Sequence, residues 1–406
     1  MKVIVQKYGG SSLADGEKIK NVARRIARTR DEGNQVVVVV SAMGDTTDEL
    51  VKLAYQLSEH PDKREMDVLL STGELVSSTL LAIALHSMGY PAISLTGAQA
   101  GIHTDAAYSS ARIMKVEAKR VVRELEQGNI VIVAGFQGIT EEMDVTTLGR
   151  GGSDTTAVAL AVAMKAKECQ IYTDVEGVYT ADPRLVPGAS KLAEISYDEM
   201  LEMASYGARV LHSRAVELGE LFNMPVLVAS SFTDAPGTLI HGEVSMEIRN
   251  KVRSVAHDLD VAKVTVVGVP DHPGIAEAIF VPLAEAGISV DTIVQNASIE
   301  NITDVTFTVA KSQLREAIAV VEPIAKTIGA RECASDSRLG KVSIIGTGMQ
   351  NTPGYAARMF RTLGEQKINI HLIATSEIRI TCIIEENRVK DAVRALHRAF
   401  ELEIKE

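Results

Sequence analysis

Three loops carry side chains whose types and spacing suit a bound anion. The first, Lys7-Tyr8-Gly9-Gly10-Ser11-Ser12, follows a short apolar run. Its paired glycines let backbone N–H groups approach a phosphate or carboxylate closely, the hydroxyls add donors, and Lys7 sets a compact cation at a strand end. It is not a Walker A loop, because GxxxxGK[ST] occurs nowhere in the chain. The second runs from Thr146 to Lys165, TTLGRGGSDTTAVALAVAMK. Here Ser153 or Asp154 can cap a helix whose free N–H groups face the Gly151-Gly152 turn, and Arg150 can grip a carboxylate or phosphate with two nitrogens. The third, YTDVEGVYTADPR from Tyr172 to Arg184, offers Asp174 and Asp182 to orient a lysine or a magnesium-bound water. In the same loop Tyr179 can flank a base, and Arg184 can reach a phosphate. Singly, each loop also reads as an ordinary turn. Ser41 stands at a strand end near Thr46 and Thr47, and Glu74 is expected near a helix start, where a lone glutamate usually complements the helix dipole.

Such loops need rigid elements behind them. Val3 to Gln6, Val36 to Ala42, Ile130 to Phe136, Gln170 to Asp174 and Pro225 to Ser230 are unbroken apolar runs, the pattern of strands buried on both faces of a parallel sheet. Between them the period becomes helical. Asp15 is a candidate N-cap, Ile19, Val22, Ala23 and Ile26 share one face, and Gly33 stands where a left-handed C-terminal residue belongs. The expectation is a three-layer α/β domain with a mainly parallel sheet, which places ligands where strand ends meet helix starts.

Further along, the chain repeats itself. Lys263 to Ile293 aligns with Lys341 to Ile373, about 80 residues later, as strand, Pro-Gly turn, helix and strand. Each copy continues with a β-rich run and a helix, giving two α+β units of βαββαβ type. The expected boundaries are a domain over 1–245, a linker over 246–262, and repeats over 263–337 and 338–406.

Composition removes other classes. The 42 Lys+Arg against 53 Asp+Glu leave a net charge of −11, a field that repels nucleic acid and anionic lipid. Three widely spaced cysteines provide neither a disulfide framework nor a CxxC metal site, and fit a reducing cytoplasm. Asn296 and Asn301 match the glycosylation sequon, but the N-terminus lacks a secretory pattern. His212 and His241 have no partners suggesting a triad.

Taken together and in order, KYGGSS, VVSAMGDTTDEL, STGE, GRGGSDTTA and YTDVEGVYTADPR, followed by paired repeats, resemble aspartate kinase: an amino-acid-kinase domain followed by two ACT domains. The resemblance spans essentially the whole chain. It implies transfer of phosphate from ATP to L-aspartate, with Mg²⁺ held mainly through the nucleotide phosphates. By the same resemblance Lys7, Arg150, Asp154 and Asp174 are the catalytic set. Lys7, Tyr8, Gly9, Gly10, Ser11, Thr173, Asp174, Tyr179, Asp182 and Arg184 would bind ATP. Ser41, Thr47, Glu74, Arg150, Gly151, Gly152 and Ser153 would bind aspartate. In the repeats, Asp271, Gly274, Ile275, Ala276, Ser289, Val290, Asp291 and Gln295 match effector-binding positions. So do Tyr355, Ala356, Asn369, Ile370, Ser376 and Glu377, the effector being lysine, threonine or both. A homo-oligomer is implied, or an α2β2 assembly whose regulatory subunit starts near Met246. One departure stands out: GARVLHSRAVE replaces the His-Pro of many relatives near His212.

Overall fold

The computed structural model describes residues 2–208, 210–242, 252–296, 301–349 and 352–403. Met246 lies outside them. The chain divides into two units, Met1–Tyr179 with Lys191–Ile248, and Thr180–Ser190 with Arg249–Glu406.

The first unit begins β1 (Val3–Tyr8), α1 (Gly16–Asp31), β2 (Gln35–Val40), α2 (Thr46–Leu57), α3 (Lys63–Ser87) and β3 (Ala92–Leu95). It continues β4 (Ile102–Thr104), β5 (Ile113–Val116), α4 (Lys119–Glu126), β6 (Ile130–Ala134), β7 (Gln137–Ile139) and β8 (Val145–Thr147). Then come α5 (Gly152–Ala163), β9 (Glu168–Thr173), β10 (Glu194–Ile195), α6 (Tyr197–Ser205), α7 (Ser213–Leu221), β11 (Val226–Ser230) and β12 (Thr238–Ile240). The main sheet has the order β10-β12-β11-β9-β1-β2-β6-β3, and all its neighbouring pairs are parallel except β11 with β12. The valine run Val36–Val40 is wholly buried, as a strand covered on both faces must be.

Register decides where the loops emerge. Tyr8 lies opposite both Val40 and Tyr172, Val40 opposite Ala134, and Thr173 opposite Ser230. Five parallel strands therefore end level, and their following loops share one edge. Helix α1 forms as expected: Asp15 Oδ1 accepts from the Lys18 N–H at 2.9 Å, and Ile19, Val22, Ala23 and Ile26 are buried. Helix α3 is long and apolar enough by length and composition to cross a membrane, but half of that stretch is buried in the unit, together with Asp67 and Glu74.

The second unit holds one six-stranded sheet, built on β13 (Ser254–Pro270), β14 (Ile293–Gln295), β15 (Ile302–Val309), β16 (Glu332–Ile345), β17 (Ile370–Thr375) and β18 (Arg379–Glu385). Its order is β14-β15-β13-β16-β18-β17. The two repeats interlock in the middle. Residues 262–270 of β13 pair with β15, while Ser254–Asp258 pair with Lys341–Ile345 beside β18. The second repeat thus takes its closing strand from residues ahead of the first, and the linker expected up to residue 262 becomes strand at Ser254. Val261, Leu339, Leu372 and Ile383 form a shared apolar seam.

Candidate active site

Lys7 is the last but one residue of β1 and points under the following loop. Its ammonium pairs with Asp154 Oδ1 at 2.7 Å, and both residues are nearly buried, at 9% and 8% exposure. A cation so enclosed keeps one geometry, unlike a solvated surface lysine. The loops around it are laced together by backbone. Gly9 N–H donates to Tyr172 O, Ser41 N–H to Tyr8 O, and Gly44 N–H to Gly10 O. The Ser12 hydroxyl donates to Ser231 Oγ, which donates on to Thr173 O. A Cβ on Gly10 would come within 2.8 Å of Ala42 O, so only glycine allows the loops after β1 and β2 to approach this closely.

Helix α5 brings the second loop to the same edge. Its N-cap is Gly151, left-handed at φ 70°, so the helix starts at Gly152 and neither Ser153 nor Asp154 caps it. Both lie in the first turn instead. The Ser153 hydroxyl meets that of Ser41 at 2.8 Å, and Asp154 turns inward to Lys7. The first-turn N–H groups of a helix lack intrahelical partners and attract anions. Arg150 is exposed and has no partner among the described residues.

Glu74 lies in the middle of α3 rather than near its start. It is 4% exposed; Oε1 accepts from the Ala42 N–H at 3.2 Å, while Oε2 is buried with no partner. Burial pushes its carboxyl up to about 7, and hydrogen bonds from its own backbone and from Ala42 offset only part of that. The Ser77 hydroxyl donates to Ser41 O at 2.7 Å, fixing the strand end beside it. Thr47 is half-buried in the first turn of α2.

The third loop divides between the units. Thr173 and Asp174 leave β9 at the common edge, the Thr173 hydroxyl donating to exposed Asp174 at 3.1 Å, and half-buried Tyr179 bridges to Lys191. Asp182 and Arg184 belong to the second unit, where Arg184 binds both Asp182 oxygens and holds that carboxyl below its usual range. In the repeats, Gly274 and Gly354 are left-handed N-caps of the helices Ile275–Glu285 and Tyr355–Glu365. Ile275, Ala276, Tyr355 and Ala356 open those helices and Asp271 directly follows β13, while Ser289, Val290, Asp291, Gln295, Asn369, Ile370, Ser376 and Glu377 lie on or beside β14 and β17, the two edges of the sheet; Asp291 pairs with Lys341.

Sequence reasoning missed several residues of this edge. Gly135 follows β6, and a Cβ there would meet Ser153 Cβ and Val40 O at 2.8 Å. Asp67, fully buried, accepts from the N–H groups of Ser109 and Thr147 and from the Thr147 hydroxyl. These partners lie far apart in sequence, so no local spacing signals them.

A buried lysine, an exposed arginine without a partner among the described residues and a helix start thus stand at one edge of the sheet, an arrangement suited to anions. Residues 2–230 match the amino acid kinase family, and residues 264–323 and 342–400 match the ACT domain. This defines an amino acid kinase, an ATP-dependent phosphotransferase, joined to paired ACT domains. The chain is 51% identical over 405 residues to an aspartate kinase of Stutzerimonas stutzeri, covering 99% of this chain and 98% of that one. It is 52% identical over 402 residues to an aspartokinase of Geobacillus stearothermophilus, with the same coverage. Escherichia coli aspartokinase III, solved with aspartate and ADP, superposes with a TM-score of 0.82 at 25% identity, covering 98% of this chain and 100% of that chain. The chain belongs to the aspartokinase family.

Proposed function

We propose that this enzyme transfers the γ-phosphoryl group of ATP to the β-carboxylate of L-aspartate, giving 4-phospho-L-aspartate and ADP, the first step toward lysine, threonine and methionine. The observation that carries the reading is the buried Lys7–Asp154 pair, with Glu74 Oε2 and the Arg150 guanidinium both unpartnered among the described residues. Support comes also from the E. coli relative, whose structure holds aspartate and ADP.

A β-carboxylate is already ionised near neutral pH, so no general base is needed; the barrier lies in bringing one anion to another in line. Lys7 stabilises the transferring phosphoryl oxygens, and Asp154 fixes the ammonium that does so. Glu74 receives the α-ammonium of aspartate, and Arg150 with the start of α5 receives a carboxylate. Ser41, Thr47 and Ser153 provide neutral donors. The loop from Gly9 to Ser11, with Thr173, Asp174 and Tyr179, forms nucleotide contacts. ATP would bring Mg²⁺ held mainly through its own phosphates, and the ion would add positive charge beside Lys7 on the transferring group.

The ACT domains bind lysine, threonine or both as feedback inhibitors, through the left-handed helix starts at Gly274 and Gly354 and the edge strands beside them. A second E. coli structure contains lysine with aspartate. We assign the enzyme to the cytoplasm, where ATP is present and Cys169, Cys333 and Cys382 stay reduced. Its assembly is a homo-oligomer or an α2β2 complex, which intact-mass measurement distinguishes.

A coupled ADP-release assay with L-aspartate, L-glutamate and N-acetylglutamate, with and without lysine and threonine, tests this reading. Turnover with aspartate alone, reduced by an effector, is expected; equal turnover with glutamate overturns it. Lys7→Ala is expected to remove most turnover, with a smaller effect on aspartate KM.

A further inference from the structure

We propose that His212 and Arg214, at the start of α7, are positioning residues that clamp the Leu148–Ser153 turn and thereby hold Arg150 and the head of α5 on the acceptor carboxylate. The inference rests on the acceptor reading above and extends it to residues that touch no substrate.

Two contacts carry it. The Arg214 guanidinium donates from Nη1 to Leu148 O at 2.7 Å and from Nη2 to Ala111 O at 3.0 Å. One planar fork thus joins the residue that opens the GRGG turn to a second loop that packs beneath it, where a Cβ on Gly149 would meet Ser109 O at 3.0 Å. At the other end of the turn the His212 ring lies over Gly151. A Cβ on Gly151 would come 2.1 Å from His212 Cγ, 2.3 Å from its Cβ and 2.4 Å from Cδ2, so the ring fills the space that any side chain would need. The ring is itself fixed, since Nδ1 accepts from the Arg214 N–H at 3.4 Å as the N-cap of α7. Burial lowers its basicity, in keeping with a neutral packing wedge.

Arg150 stands between these holds, exposed and unpartnered among the described residues. A guanidinium on a turn of three glycines would sample many directions without them. With Leu148 O pinned on one side and Gly151 wedged on the other, the peptide carrying it has little freedom left. The ordering cost is then met before substrate arrives, and the acceptor affinity reflects it.

The test is steady-state kinetics on the full-length protein, with Kd for ATP and thermal unfolding measured alongside. Arg214→Met should raise aspartate KM by about tenfold to a hundredfold, leave ATP KM within about twofold, and be partly rescued by Arg214→Lys. Gly151→Ala and His212→Ala should each impair aspartate binding, but the double variant should lose much less than the product of the two, because removing the ring relieves the clash. Equal rises in both KM values with a lowered Tm, or independent effects of Gly151→Ala and His212→Ala, would overturn the clamp. Arg150→Met separates the two ideas. A normal aspartate KM in that variant defeats the acceptor reading and the clamp together, whereas an impaired Arg150→Met beside a normal Arg214→Met defeats the clamp alone.

Discussion

A carboxylate held at 4% exposure with one oxygen unpartnered is costly once it ionises, and Glu74 bears that cost in the absence of aspartate. Its carboxyl, pushed up to about 7 from an ordinary 4.5, keeps a proton in the folded protein that the unfolded chain has already released. Stability attributable to this group is therefore unaffected below about pH 4.5, falls as pH rises toward 7, and stays reduced above it. Glu74→Gln should accordingly raise the unfolding free energy at pH 8 by about 1–3 kcal/mol and change it little at pH 4.5, which urea titration at the two pH values would read. The same proton bears on function. Aspartate KM should fall as pH rises through about 7 and lose that dependence in Glu74→Gln, with a higher KM throughout; an unchanged profile would remove Glu74 from the ammonium site.

Elements reach the site only because small residues let them close in. Gly135 sits where β6 hands over to the edge, and a Cβ there meets Ser153, Val40 and Val39 within 2.9 Å. Gly135→Ala should push the head of α5 away from β2, cutting kcat/KM for aspartate about tenfold or more and stability by about 1–3 kcal/mol, measurable by kinetics and urea unfolding. Much of this frame is legible in the sequence: the apolar runs are strands, and Asp15 and Gly33 bound α1 as their types dictate. Glu74 is less legible, because a stretch of Ser, Thr and Gly reads as a break. In the structure Ser71, Thr72 and Ser78 donate back to the carbonyls three residues earlier, satisfying their hydroxyls within the helix, and Gly73 survives because a Cβ would strike Ala42 at 2.9 Å. The interlocked repeats are illegible for a different reason. Ser254–Asp258 belong to a strand whose partner lies at Lys341–Ile345, and no local period announces so distant a pairing.

At the scale of the molecule, the chain does not divide where its repeats do. Thr180–Ser190, continuous with the loop that leaves β9, folds into the second unit. Thr180 is its anchor. Its carbonyl accepts from the Val255 N–H at 2.8 Å, its hydroxyl meets His397 Nε2 at 2.8 Å, and the Ser190 N–H donates to the same hydroxyl. Nearby, Arg394 Nε donates to Leu185 O, and Ala189 bridges to Glu403. The helix Val389–Ala399 thus depends for part of its cover on a segment encoded about 200 residues earlier. A regulatory fragment beginning near Met246 would contain both repeats but not this segment. Such a fragment should retain its sheet, since every strand of it is present, yet show faster amide exchange over Val389–Leu402 than the full chain does. Adding a peptide of residues 180–190 should restore part of that protection. Equal exchange in fragment and full chain would mean that the ACT pair is self-sufficient.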